Sequence, residues 1–174
     1  ADAVPLLEEA VELFLELWDA APGDEDTRQR LAKAAGDLAS ARASLGELAG
    51  AEDAAELAIM HFEGLAESQP DLFVHKAMLS TVRATLARIQ LDSGQPEEAL
   101  ESAELAVSSR FQMLEEQPNH PVLHSSTGSD FLTFARVQVA LGESEAALES
   151  CVRAAGYLDR AIELRPDDPD IVCM

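Results

Sequence analysis

Residues 46–70 read GELAGAEDAAELAIMHFEGLAESQP, residues 94–118 read GQPEEALESAELAVSSRFQMLEEQP, and residues 142–166 read GESEAALESCVRAAGYLDRAIELRP. Aligned without a gap, the three share an opening glycine (Gly46, Gly94, Gly142) and a closing proline (Pro70, Pro118, Pro166), with Pro22 one step earlier. Two alanine columns run between them: Ala51, Ala99 and Ala147, then Ala58, Ala106 and Ala154; Ala3 and Ala10 extend both upstream. The step is 48 residues in every column. Four columns in one ungapped register identify an internal repeat, and a period of this length means stacked units, each touching its neighbours.

Each column has a physical role. Proline ends a helix, because it pushes the preceding residue out of the α region. Glycine supplies a tight link between helices, where the backbone needs a positive φ. Alanines seven residues apart lie two turns along one helix, on one face, and let a neighbouring helix approach closely. One unit therefore reads helix A, glycine turn, helix B, proline stop. This predicts helix A over about 25–45, 73–93 and 121–141, and helix B over about 4–20, 51–68, 96–116 and 144–164. Pro96 suits a first helical turn, and Ser144 is a cap candidate. The third helix A is the exception. Pro121, Ser125, Ser126, Thr127 and Gly128 predict a late start or a bend there.

Composition agrees. The 174 residues include 30 Ala and 24 Leu but only 8 aromatics, which favours an all-α fold and disfavours a β-sandwich. With 47% apolar residues the chain is not disordered throughout. Acids outnumber basic residues 33 to 12, a net charge of −21 that repels nucleic acid and anionic membrane. Cys151 and Cys173 form neither a disulfide framework nor a zinc motif. No apolar run reaches the roughly 18 residues a bilayer span needs. No signal peptide opens the chain, so a cytoplasmic location is expected.

The units resemble the tetratricopeptide repeat family. The residues that carry the likeness are the large-small pairs Leu38-Ala39, Leu86-Ala87 and Phe134-Ala135, the turn glycines, and the paired alanines of helix B. The resemblance implies an α-solenoid of antiparallel helix pairs, about seven helices in one array over 1–174. It would comprise a half repeat at 1–22, full units at 23–70, 71–118 and 119–166, and the start of another unit or a tail at 167–174. The family's usual unit has about 34 residues, so these are longer, by about two turns in each helix. The family's aromatics are mostly missing: Ala35, Arg83 and Phe131 fill one column, and Ala55, Ala103 and Cys151 the other. The long, Ala-rich unit is similar to arrays that trail bacterial signalling kinases and other large regulators, as in a fragment of a longer protein. Leu6, Leu7, Leu13, Phe14 and Trp18 make the first helix apolar for a terminal repeat, which raises self-association through it.

No catalytic constellation is present: neither a phosphate-binding loop nor a nucleophile elbow nor H-E-x-x-H. The chain is read as a non-enzyme without cofactor or metal. His120 and His124 have helical ligand spacing, but Pro121 and the Ser/Thr/Gly run favour a loop-and-cap role. His61 and His75 read as surface or packing residues, and Cys151 as a small buried hydrophobe.

Charge is unevenly spread. Helix B segments with their turns (1–22, 47–69, 95–117, 143–165) hold 23 acids and four cations: Arg110, Arg153, Arg160 and Arg165. Helix A segments (24–45, 71–93, 119–141) hold seven acids and eight cations. In the resembling family, A helices line the concave face, which here would be near neutral or basic inside an acidic exterior. The implied function is a scaffold that binds a protein or peptide segment, acidic where it meets Arg88 and Arg136 one period apart. Thr81, Ala84, Leu91, Leu132 and Val139 would form the floor. The alternative is a structural spacer or dimerisation array.

Overall fold

The structure, a computed structural model, describes residues 3–165. It consists of seven helices: α1 (Ala3–Ala20), α2 (Glu25–Ser44), α3 (Leu48–Ser68), α4 (Phe73–Asp92), α5 (Pro96–Glu116), α6 (Pro121–Ala140) and α7 (Ser144–Leu164). Among the described residues there is no strand. The stretch 166–174, with Cys173 and the anticipated start of a further unit, lies outside them.

The punctuation works as local chemistry requires. Gly46, Gly94 and Gly142 have φ of 78°, 77° and 81°. Each follows a helix A whose last carbonyls would otherwise lack donors, and each turn closes the same way. The Glu47, Gln95 and Glu143 N–H groups donate back to Arg42, Gln90 and Gln138, the six-to-one bond of a Schellman turn. The proline turns also repeat: the Asp24, Leu72 and His120 N–H groups donate to Ala21, Gln69 and Gln117, across Pro22, Pro70 and Pro118. Proline in the second place of such a turn has its φ preset.

Every helix packs on its chain neighbours, and α4 also touches both α2 and α6. The A helices therefore approach one another along one side and form the concave face, with the B helices outside. This is an all-α solenoid of antiparallel helix pairs. Ala51, Ala58, Ala99, Ala106, Ala147 and Ala154 are all buried, so the close approach predicted for both columns is realised. No helix among the described residues is long and apolar enough to cross a membrane.

Three expectations need correction. Helix α6 is continuous from Pro121, with neither a late start nor a bend. The Thr127 hydroxyl donates to Leu123 O at 2.7 Å within it, and Gly128 sits where α7 crosses closest. A side chain at Gly128 would meet Leu158 at 2.7 Å and the Ala154 carbonyl at 3.1 Å. Helix α3 begins at Leu48, ahead of the predicted 51. Ser144 is the first helical residue of α7; the cap position is Glu143, without a side-chain bond.

Candidate functional site

The concave face is built from one stripe on each A helix. On α4 the predicted residues Thr81, Ala84, Arg88 and Leu91 follow at steps of three and four, so they share a face. On α6 the same holds for Leu132, Arg136 and Val139. Thr81, Arg88, Leu132, Arg136 and Val139 are exposed, and Ala84 and Leu91 half-buried. Leu91, Leu132, Arg136 and Val139 come together with Ala135, Ala140 and Cys151 around an apolar cavity of about 650 Å³. Thr81, Ala84 and Arg88 do not line it. Cys151 is exposed in its wall, against the buried role expected, because among the described residues no helix follows α7 to cover that column.

The arginines are not equivalent. Arg136 donates to Asp92 at 3.2 Å, both side chains half-exposed, so an acid stands beside it on the face expected to be near neutral or basic. Arg88 is exposed and makes no ion pair among the described residues. Two further helix A cations reach outward: Arg42 holds Glu8 at 2.5 Å and Arg83 holds Glu63 at 2.6 Å. Part of the helix A positive charge is thus spent on the acidic helices behind it.

Arg110 was expected on the outer face, yet only 3% of it is exposed, and Asp130 is 6% exposed. From α5 its Nε donates to Asp130 Oδ2 on α6 at 3.0 Å. Its other nitrogens reach α4, meeting Thr81 Oγ1 at 2.8 Å and Ala77 O at 3.4 Å. Thr81 in turn donates to Ala77 O. A guanidinium from the outer layer therefore pins α4 to α6. Burial pushes the Asp130 carboxyl above the usual 3.8, while Arg110 pulls it back. One period earlier the same columns hold Phe62 and Val82, both buried. A charged residue in an apolar column was the available sign.

A second buried contact recurs at the 48-residue step. Ser102 donates to Gln90 Oε1, and Ser150 to Gln138 Oε1, each at 2.7 Å. In the first unit Arg42 takes the glutamine's place and donates to Gly50 O at 3.0 Å. These clamps join helix A to helix B beneath the groove.

The histidines serve structure. His120 caps α6, accepting from the Leu123 N–H, and His124 bonds Pro118 O at 2.9 Å. His75 and His61 are buried. His61 meets the Trp18 ring edge-on at 5.7 Å, while Arg28 lies 5.2 Å over that ring. Desolvation, helped by Arg28, holds His61 below its usual 6.5. Among the described residues no group of three or more His, Cys, Asp or Glu is placed to hold a metal ion.

No family model matches the chain, and no curated protein resembles it in sequence. Among solved structures it is similar to the crystal structure of MamA, over 90% of this chain and 91% of that chain, with a TM-score of 0.48 and 15% identity.

Proposed function

We propose that this chain is a non-enzymatic interaction scaffold, a long-unit member of the tetratricopeptide class, whose concave groove holds an extended or helical peptide of another protein. The observation that carries the reading is the cavity between α4, α6 and α7, apolar within and bordered by Arg136. Such a site takes an apolar side chain on Leu91, Leu132 and Val139 while a carboxylate of the same segment meets the arginine. Arg88 stands one period away as a second anion contact, and Thr81 and Ala84 extend the floor along α4. An acidic exterior steers an acidic segment away from every face but this one. The proposed setting is cytoplasmic.

The test uses peptides carrying one apolar residue and two or more carboxylates, selected by display against the intact chain. Arg88→Ala with Arg136→Ala removes two charge-assisted hydrogen bonds, each worth about 1.5–3 kcal/mol. Arg136 must first leave Asp92, so the expected loss is a modest tenfold or more, shrinking with added salt. An unchanged Kd at low salt refutes the arginine contacts. Failure of any peptide to protect α4 and α6 amides from hydrogen exchange favours the spacer instead.

A further inference from the structure

Between the B helices α5 and α7, beside the start of α6, lies a cavity of about 430 Å³ lined by Phe111, Leu114, Glu115, Pro118, His124 and Tyr157. Its rings stand together: the Phe111 and His124 centroids are 6.1 and 5.9 Å from that of Tyr157. Phe111, Leu114 and Tyr157 are half-buried, and Glu115 and Pro118 exposed. The opening does not depend on where the chain stops. One period earlier the same columns hold Glu63, Ala66, Glu67, Pro70, Lys76 and Ser109, with further helices on both sides, and none of these is buried.

The repeat itself shows what chemistry belongs in this place. Its acid column is Asp19, Glu67 and Glu115, all exposed. Its cation column is Arg28 on α2 and Lys76 on α4, both half-buried, and then His124 on α6. Around α2 the Arg28 guanidinium lies 5.2 Å over the Trp18 ring. Around α6 the acid is kept and rings are added, with Phe111 and Tyr157 in the columns of Glu63 and Ser109, but the cation is gone. His124 does not replace it. Its Nε2 bonds Pro118 O at 2.9 Å, and a carbonyl only accepts, so Nε2 carries the hydrogen; Nδ1, buried and without a donor, is a lone pair in the neutral ring. The α7 arginines are engaged elsewhere: Arg160 with Glu163 and Asn119, and Arg153 5.9 Å over the Phe131 ring. Glu115 pairs with no cation among the described residues.

We infer that this pocket takes the guanidinium of an arginine side chain presented by another protein, set against the Phe111 and Tyr157 rings with its charge on Glu115. The partner's arginine supplies here what Arg28 supplies around α2. A guanidinium suits the place because it is planar, weakly hydrated and attracted to aromatic rings, while its N–H groups match a carboxylate. The site lies on the acidic helix B side and does not rest on the groove.

The probe is the peptide acetyl-Gly-Arg-Gly-amide, titrated into the intact chain while NMR follows the ring resonances of Tyr157, the single tyrosine. Saturable shifts are expected with a Kd on the order of millimolar, as suits one side chain. The same peptide with citrulline, a neutral isostere of arginine, should bind at least about fivefold more weakly. Glu115→Gln, an exposed change that leaves the fold alone, should bring the arginine peptide close to that weaker level. Arg88→Ala with Arg136→Ala should leave the titration unchanged, which separates failure of this pocket from failure of the groove. Absence of a saturable shift, equal binding of the citrulline peptide, or indifference to Glu115→Gln overturns the inference. So does tighter binding of N-acetyltryptophan amide, which would make the pocket an apolar slot. A free guanidinium compound such as agmatine binding tenfold tighter than the peptide would replace the protein partner with a small amine and overturn it equally.

Discussion

Replacing Gly128 by alanine sets two effects of opposite sign against each other. In an exposed helix interior the change is favourable by about 1 kcal/mol, since glycine loses more backbone freedom on folding. At Gly128 the added Cβ would lie 2.7 and 2.9 Å from the Leu158 Cγ and Cδ2, and 3.1 Å from the Ala154 carbonyl oxygen. Carbon atoms rest about 3.5–4.0 Å apart, so the deficit is close to 1 Å. Leu158 can rotate, but the oxygen belongs to the α7 backbone, so the helix itself must move. Overpacking of this kind costs about 1–3 kcal/mol, leaving a net loss of up to about 2 kcal/mol. Gly156, on the open side of α7, is the internal control: its added Cβ meets nothing within 4 Å, so Gly156→Ala should gain about 0.5–1 kcal/mol. At about 2–4 °C per kcal/mol for a chain of this size, the two variants should melt roughly 1–12 °C apart, with Gly156→Ala the higher. Hydrogen exchange should place the Gly128→Ala loss in α6 and α7, because units touch only their neighbours. If Gly128→Ala melts above wild type, as Gly156→Ala should, the close crossing of α6 and α7 is wrong.

Ala106→Leu should cost about 1–3 kcal/mol in denaturant titration, because Ala106 is fully buried and its carbonyl accepts the Ser80 hydroxyl at 3.0 Å. Asp130→Ala, leaving Arg110 buried without its counter-charge, should cost about 3–5 kcal/mol, while Arg110→Phe with Asp130→Val, the residues of the preceding unit, should be neutral or stabilising by up to about 4 kcal/mol. Because the Asp130 carboxyl is held above 3.8, its favourable contribution is complete below that pH and is lost as pH rises through the folded value; the stability of wild type relative to the double variant should fall over that rise. His61 has the opposite sign: its folded value lies below 6.5, so the stability it confers is present above pH 6.5 and lost as pH falls, and His61→Leu should flatten that slope in melting scans.

What the sequence revealed is what local chemistry fixes. Gly46, Gly94 and Gly142 close their turns through backbone bonds within six residues, and Pro22, Pro70 and Pro118 through bonds across four, so helix ends could be read off short stretches. That the residues proposed for peptide binding on α4 share one helix face, and those on α6 another, follows from helical spacing alone. What escaped depended on another unit. The start of α6 looked like a loop because Ser125, Thr127 and Gly128 are weak helix formers, yet Gly128 falls in the column of Ala32 and Ser80, both buried small residues at a helix crossing. Tertiary packing outweighs propensity there. Cys151 was misplaced for the converse reason: Ala55 and Ala103 are buried by the helix A that follows them, a cover no described residue supplies to α7. Asp92 beside Arg136 was invisible because the two lie 44 residues apart with no counterpart pair in the earlier unit.

The same comparison of columns explains why one layer of a largely apolar stack is ionic. Units with a common period and common alanine contacts present nearly the same surface to any neighbour, so helices of different units could pair in the wrong order at little cost. Phe62 and Arg110 occupy one column of helix B, and Val82 and Asp130 one column of the helix A that packs next. Exchange of partners would bury the Arg110 guanidinium against Val82 and the Asp130 carboxylate against Phe62, each uncompensated and each costing about 3–5 kcal/mol. The native order satisfies both charges, along with Thr81 and Ala77 O on α4. The double variant that restores Phe and Val should therefore keep or gain stability while losing this discrimination. Its refolding should yield a fraction of misordered or swapped species, seen by size exclusion, that wild type does not form. A double variant that refolds as cleanly as wild type would show that the pair does not order the units.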